Sequence, residues 1–356
     1  MANVYVRSGA AGAGTGADWA NAYTTLAAAL TAKAAGDDFW VSEDHAETQA
    51  SALTAASKGT AANPCKIYCV DHSGSVPPVA ADLRTTATIT TTGNNSITLN
   101  GFAFVYGIAF IAGSGATGTA SINLSSGSNF DWRMELCSLI ISTTGASSRI
   151  QINSGFSSAT FNLLLRNCTI TFGATGQGFL NQGGRLEMNG GSVSGEIIPT
   201  TIFSGSDLVP SAYKLSGVDL SAIGSGKNIC SVAASIMVDL ILIDCKLGAS
   251  VSISTGSVVA SGGSRVRVVN CDSANTRYRY FKQTYQGTIT HEATIVRTGG
   301  ATDGTTPISR KMVTTANSKI YSPLESDYVT FWNESLSAVT VLVPVITDNV
   351  TLTDAE

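Results

Sequence analysis

The chain has 356 residues, and its 21 Lys+Arg and 25 Asp+Glu make it only 13% charged, against about 25% in an ordinary globular protein. Ser (42), Thr (41) and Gly (36) supply 119 residues, whereas Pro supplies 8. A 44% hydrophobic content with a net charge of −4 excludes disorder, scarce Pro excludes collagen, and scarce Glu, Lys and Arg exclude a coiled coil. What remains is a β-rich protein with many tight turns. A pI near 5.4 argues against nucleic acid as a partner. No apolar run approaches the ~18 residues that span a bilayer, so no membrane partner is expected.

The start, Met1 to Arg7, has no charged region followed by an apolar one, so no secretory signal is expected. The cysteines are Cys65, Cys69, Cys137, Cys168, Cys230, Cys245 and Cys271. Most sit in apolar strand-like runs, which reads as buried free thiols of a reducing compartment. Cys65 and Cys69 have the spacing of half a zinc site, but no second Cys or His pair completes it, so no metal or cofactor is expected.

In chain order, Asn3 to Arg7 alternates like a strand and Ser8 to Ala17 is a Gly/Ala turn region. Asp18 is placed to cap a helix beginning near Trp19, with Trp19, Tyr23, Leu26 and Leu30 on one face, Lys33 in the last turn and Gly36 as the stop. Asp37 to Val41 reads as a strand, and Ser42 to Glu47 as the turn after it. This order of strand, Gly-rich loop, amphipathic helix, Gly36-Asp37 and Phe39-Trp40-Val41 resembles the opening segment of right-handed parallel β-helix proteins of the pectate-lyase-like superfamily. The resemblance implies a solenoid whose apolar end the helix covers, and it implies nothing about chemistry.

An internal repeat follows. Arg133 to Ile140, Leu164 to Ile170, Leu240 to Leu247 and Val266 to Asp272 each run strand, kink and Cys, and most copies end in a second short strand. Weaker copies lie at Phe104 to Phe110, Leu186 to Val193 and Tyr213 to Val218. Aligned on a small residue at 107, 137, 168, 191, 217, 245 and 271, the steps are 30, 31, 23, 26, 28 and 26, a solenoid period. A strand bending into the next face of a coil needs a small inward side chain there. Cys137, Cys168, Gly191, Gly217, Cys245 and Cys271 are therefore expected to stack as an internal ladder. Thr85 to Thr92 reads as an outer strand.

Near Ser273 the repeat stops. Strands are expected at Thr288 to Arg297, Lys311 to Thr315, Asp327 to Trp332 and Ala338 to Ile346, as antiparallel structure resembling part of a sandwich. Residues 274–320 carry seven basic and two acidic groups, whereas 321–356 carry six acidic and no basic ones. Arg277, Arg279, Tyr280 and Lys282 are the candidate subunit interface. The fold expected is all-β: cap 1–48, right-handed parallel β-helix 49–273, and antiparallel region 274–356, read as an incomplete sandwich that a truncated segment or a partner completes.

Glycoside hydrolysis needs two carboxylates about 5–9.5 Å apart. No aligned column stacks two acids on adjacent coils, Asp244 and Asp272 being the nearest approach. Asp37 and Asp38 read as a turn, and Asp44, His45 and Glu47 form a small polar cluster. No Ca²⁺-type acid cluster, nucleophile elbow or phosphate loop occurs. No catalytic residue is therefore assigned, and the chain is expected not to be an enzyme. The opening segment, coil pattern and composition resemble virion proteins of tailed bacteriophages, assembled in the host cytoplasm. That resemblance implies a structural protein of the virion, a capsid decoration or spike protein, trimeric by analogy and contacting the major capsid protein or other virion proteins. The alternative is a tailspike or tail fibre that binds or cleaves host surface glycans.

Overall fold

A computed structural model describes residues 2–124, 130–153, 161–205, 211–231, 238–249, 251–255, 265–273, 276–284, 290–298 and 308–314. The expected strands at 327–332 and 338–346 and the acidic segment 321–356 lie outside these residues.

The chain is mostly β, with long parallel sheets, and its parallel strands fall into three ladders. Ladder A stacks Asn3–Val6, Asp38–Ser42, Cys65–Val70, residues 101–106, Phe130–Glu135, Phe161–Arg166, Arg185–Asn189, Ser211–Ser216, Val238–Ile243 and Arg265–Ser273. Ladder B stacks Ala46–Gln49, Ala87–Thr92, Ile108–Ser114, Ser138–Ile141, Thr169–Thr171, Ser192–Ser194, Asp219–Leu220 and Lys246–Leu247. Ladder C stacks Leu53–Ala56, residues 97–100, Ile122–Leu124, Arg149–Asn153, Gly178–Gln182, Thr201–Gly205, Asn228–Ser231 and Ser252–Thr255. All these pairings are parallel, and between Asp38 and Thr255 each repeat contributes one strand to each ladder; Asn3–Val6 and Arg265–Ser273 extend ladder A at its two ends.

Alternation explains the strands. In Phe130–Glu135, Phe130, Trp132 and Met134 are buried while Asp131, Arg133 and Glu135 face outward. The inward residues of the three ladders meet in one apolar cluster, where Trp132 stacks on Phe130 and meets Phe110 edge-on. Tyr213 lies among Phe179 and Phe203, and its hydroxyl donates to the Ser204 carbonyl. Buried side-chain amides tie the loops: Gln177 bonds Gly173 N, Thr143 O and Gly145 O, and Asn181 bonds both polar backbone groups of Gly184.

From residue 107 onward each corner between ladders A and B opens on a residue in the left-handed conformation: Gly107, Leu136, Asn167, Gly190, Gly217 and Asp244; Gly191, which follows Gly190, is left-handed as well. Each opening residue donates its N–H to the next repeat: Leu136 to Arg166 O, Asn167 to Asn189 O, Gly190 to Ser216 O, and Gly217 to Ile243 O. The residue that follows is the inward one. Thr169 N bonds Cys137 O, Ser192 N bonds Cys168 O, Asp219 N bonds Gly191 O, and Lys246 N bonds Val218 O. The inward column is therefore Ile108, Cys137, Cys168, Gly191, Val218 and Cys245. Gly217, expected in that column, sits one residue earlier, as does Gly107. Alignment on small residues merged two columns: Gly serves the left-handed position, and the inward position accepts Val or Ile. With Gly217 and Gly107 moved, Asp219, Lys246 and Asp272 become successive members of the following column.

The N-terminal helix is shorter than expected. It spans Leu26–Ala32, with Thr25 as N-cap accepting from Ala28 N, and it buries Leu26, Ala29 and Leu30. Residues 19–25 instead serve the first strand: Tyr23 N donates to Tyr5 O and Arg7 N to Tyr23 O, while Asp18 holds Asn21. Backbone pairing to an existing strand outcompetes helix propensity over those residues. The turn after Asp38–Ser42 is also shorter, since Ala46 and Glu47 already belong to the strand Ala46–Gln49. After Ser273 the direction reverses, and Arg265–Ser273, Thr276–Thr284, Thr290–Thr298 and Ile308–Thr314 pair antiparallel.

The corner makes two opposite substitutions informative. At Gly191, φ is +81° and an added Cβ would lie 2.0 Å from Cys168 O. Gly191→Ala is expected to cost about 2 kcal/mol or more. Leu136, left-handed and exposed at the equivalent of Gly190, is expected to gain about 1 kcal/mol on replacement by Gly. Urea unfolding midpoints of the two variants, moving in opposite directions, check the assignment.

Candidate functional site

Ladder A carries most of the side-chain chemistry on its outer surface. Its strands are long, regular and in register, so outward residues of successive repeats form columns, each residue meeting those before and after it and its diagonal neighbours in the next column. One column reads Asp38, Lys66, Phe104 and Arg133, and its neighbour Trp40, Tyr68, Tyr106 and Glu135. Trp40 stacks on Tyr68 with centroids 5.2 Å apart, and Tyr68 meets Phe104 at 5.6 Å. The Trp40 indole N–H is held by Asn3 Oδ1 at 3.0 Å. Lys66 Nζ lies 3.3 Å from Asp38, and Arg133 Nε donates to Asp131 at 3.1 Å.

Beside this stack lies a groove of 310 Å³ between the strands and the loop that carries Thr60 and Pro64. The loop is pinned rather than draped. Ser57 Oγ donates to Phe102 O at 2.6 Å and accepts from Gly59 N at 3.0 Å, and a Cβ on Gly59 would lie 2.2 Å from Phe102 O. Thr60 and Asn63 close the turn with reciprocal backbone bonds. The floor is Tyr68, Phe102 and Phe104, and the rim is Lys66, Asp131 and Arg133.

Further along, the outward carboxylates are ion-paired. Glu187 receives Arg185 at 2.7 Å and Lys214 at 3.1 Å, and Asp219 receives Lys246 at 3.4 Å. Burial pushes the Glu187 carboxyl up, but the Lys214 and Arg185 cations outweigh it and leave it below the usual range.

The expected cluster Asp44, His45 and Glu47 divides. Asp44 faces outward and takes the Arg7 guanidinium, while His45 and Glu47 point inward and are buried. Glu47 Oε2 accepts the Leu26 N–H at 2.9 Å and lies 3.4 Å from His45 Nε2, and Gln49 binds Oε1. Glu47 thus ties the start of the helix to ladder B. A pair hidden from the sequence, Glu43 and His72, stands nearby: Glu43 holds both the His72 backbone N–H, at 2.7 Å, and its ring Nδ1, at 2.9 Å. Asp37, expected in a turn, is buried and accepts from Ala2 N and Ala34 N.

All seven cysteines are free and buried. Burial pushes the Cys137 thiol up and Cys230 to about 12, so neither is a ready nucleophile. Cys137, Cys168, Gly191 and Cys245 share the inward corner column, and Cys271 is adjacent, its Sγ accepting from Cys245 N. No group of three or more metal-ligating side chains occurs among the described residues. Arg277, Arg279, Tyr280 and Lys282 lie on Thr276–Thr284, between two antiparallel neighbours. Positions 277 and 279 alternate with 280 and 282, so the four positions divide between the two faces of that strand.

The aromatic stack was recoverable from the repeat. Trp40, Tyr68 and Tyr106, like Lys66, Phe104 and Arg133, are corresponding residues of successive repeats, and extending the alignment toward the N-terminus brings them together. The Glu43–His72 pair follows no period and left no such signal.

Hydrogen bonding from Arg7 is the largest cause that holds the Asp44 carboxyl down, at about 2. Its stabilising effect is present above the ordinary carboxylate range and is lost as pH falls through about 2. The stability difference between wild type and Asp44→Asn is expected to shrink between about pH 4 and pH 2. It stays under about 1 kcal/mol, because both partners are partly solvated. Denaturant titrations at several pH values check this. Glu47→Ala leaves the His45 ring and the Leu26 N–H without their partner in the core and is expected to cost about 3 kcal/mol; Glu47→Gln is expected to retain more than half of that. Unfolding midpoints at neutral pH compare the two.

Compared with protein families, curated proteins and solved structures, the chain matches none of them.

Proposed function

We propose that this chain is a non-enzymatic structural protein of a bacteriophage virion, a decoration or spike protein standing on the capsid. In this reading the three ladders are the faces of one right-handed parallel β-helix, and the helix Leu26–Ala32 covers its N-terminal end. The observation that carries the reading is the corner, where backbone hydrogen bonds pass from repeat to repeat without a break. Such a column resists bending and shear because every repeat is bonded to the next on three sides. Its side chains support the same reading. The carboxylates of Glu187 and Asp219 are each engaged by a cation and held below the usual carboxylate range, which makes them poor proton donors at neutral pH. Low surface charge and abundant Ser and Thr suit a rod that meets many surfaces without strong electrostatic preference.

The antiparallel strands after Ser273 are the natural place for subunits to join, and a homotrimer is the assembly proposed, with the major capsid protein or another virion protein as the further partner. Cryo-electron microscopy of the parent particle tests the assignment. Three-fold density for this chain on the capsid surface is the expected result, whereas density confined to the tail tip transfers the chain to the tail. The non-enzymatic part is tested by incubating purified protein with host surface polysaccharide. The polymer length distribution is expected to stay unchanged, and shortened chains would refute that part.

A further inference from the structure

We propose that Cys137 with Cys168, and Cys245 with Cys271, are two sites of oxidative cross-linking, at which hydrogen peroxide joins neighbouring repeats through a disulfide. Glu135 pairs with Arg166 and Ser138 with Thr169 on either side of the first pair; Ile243 pairs with Val269 and Lys246 with Asp272 on either side of the second. Each cysteine therefore lies opposite its partner on the adjacent parallel strand. Facing residues of such strands stand about 4.8 Å apart, within the roughly 4.4–6.8 Å between Cα atoms that a disulfide spans. The thiols also lean toward each other. Cys168 Sγ donates to Met134 O of the preceding repeat at 3.4 Å, and Cys271 Sγ accepts from the N–H of Cys245 itself at 3.4 Å. Within each pair the two thiols share a hydrogen bond.

Packing alone does not ask for sulfur at these positions. The same inward column holds Ile108, Gly191 and Val218, so aliphatic side chains of several sizes fit it. The remaining cysteines stand opposite other residue types: Cys65 faces Ala103, Cys69 faces Val41, and Cys230 lies between Phe203 and Ser254. Reactivity is divided within each pair. The hydrogen bond from Cys137 holds the Cys168 thiol below its ordinary value, and the one from Cys271 does the same for Cys245. Cys168 and Cys245 are therefore the attacking sulfurs. The Cys168 thiolate attacks hydrogen peroxide: an S–O bond forms, the O–O bond breaks, and the departing hydroxide takes up the thiol proton as water. The Cys137 sulfur then attacks the sulfenic acid so formed. The S–S bond closes, and the S–OH oxygen leaves with the Cys137 proton as a second water. The two thiols lose two electrons, which the peroxide takes. Cys245 and Cys271 follow the same course. All four thiols are buried, so the reaction waits on local opening of the corner, which admits a molecule this small and hinders larger oxidants. The proposal stands apart from the virion reading, because oxidation of the isolated protein neither requires nor tests a particle.

The test treats the folded full chain with hydrogen peroxide at about 1 mM, alkylates the remaining thiols in denaturant, and maps the unreduced digest by mass spectrometry. Peptides linked 137–168 and 245–271 are expected, with Cys65, Cys69 and Cys230 alkylated. The intact mass is expected to fall by about 4 Da before alkylation. The thermal midpoint is expected to rise by about 5 °C, because cysteines 31 and 26 residues apart become tied in the unfolded chain, and dithiothreitol is expected to reverse both changes. Cys168→Ser is expected to lose the first link and keep the second, and Cys245→Ser the reverse. Thermal melting verifies that each variant folds, and Cys168→Ala or Cys245→Ala replaces one that does not. Four thiols that stay fully alkylatable in the folded chain, under peroxide that oxidises them in the urea-unfolded chain, would overturn the proposal. Oxidation that ends at sulfinic or sulfonic acid without a link has the same consequence, as do links that engage Cys230 as often as the four.

Discussion

The structure depends on a sharp bend that does not interrupt hydrogen bonding. Between ladders A and B a single left-handed residue turns the chain, yet its own N–H and the carbonyl of the next residue both stay in register with the neighbouring repeat. Chains usually lose ladder bonds at bends, and water or side chains must then satisfy the freed groups. From residue 107 onward the same bend recurs in successive copies, so the bonds close against one another. The cost is a restricted residue type at the bend: Gly at 107, 190 and 217, Asn167 and Asp244, which tolerate the left-handed region, and Leu136 as the exception.

Once the bend is shared, the rest is constrained in register. Parallel in-register stacking brings corresponding residues of adjacent repeats to about 4.8 Å, so inward columns must pack and outward columns must not repel. The inward side fills with aliphatic residues, thiols and the Phe110, Phe130 and Trp132 group. The outward side alternates sign where it is charged, as in Glu187 with Lys214 and Asp219 with Lys246. Aromatic residues gather on ladder A in the first repeats, where Trp40, Tyr68 and Phe104 lie next to one another. The groove arises where the long loop between ladders C and A folds back over that surface. Shape and chemistry therefore come from different sources, the strands supplying a periodic wall and one loop breaking the period.

The repeat was legible because the left-handed bend favours Gly, Asn and Asp and the inward position after it often holds Cys, so these residues recur at a regular step. Its phase was misread by one residue at 107 and 217, since small residues occur in two adjacent columns for two reasons: backbone conformation in one and limited space in the other. The first helix was over-extended because Trp19, Tyr23, Leu26 and Leu30 have helical spacing, whereas Tyr23 is occupied by backbone pairing with Tyr5 and Arg7. The division of Asp44 from His45 and Glu47 follows strand alternation, which begins at Ala46, earlier than the composition of that turn implied.

By itself the sequence determined the β-rich class, a repeating solenoid organisation up to about Ser273, the change of architecture after it, and the buried free state of the cysteines. Each is written in local composition or in a fixed period, which a single chain displays directly. Tertiary structure decided which column each residue joins, the inward burial of Glu47 beneath the helix, the Glu43–His72 contact and the groove beside Phe104. These depend on the lateral offset between repeats and on where individual loops fall. Loop lengths here vary from repeat to repeat, so no period in the chain encodes them.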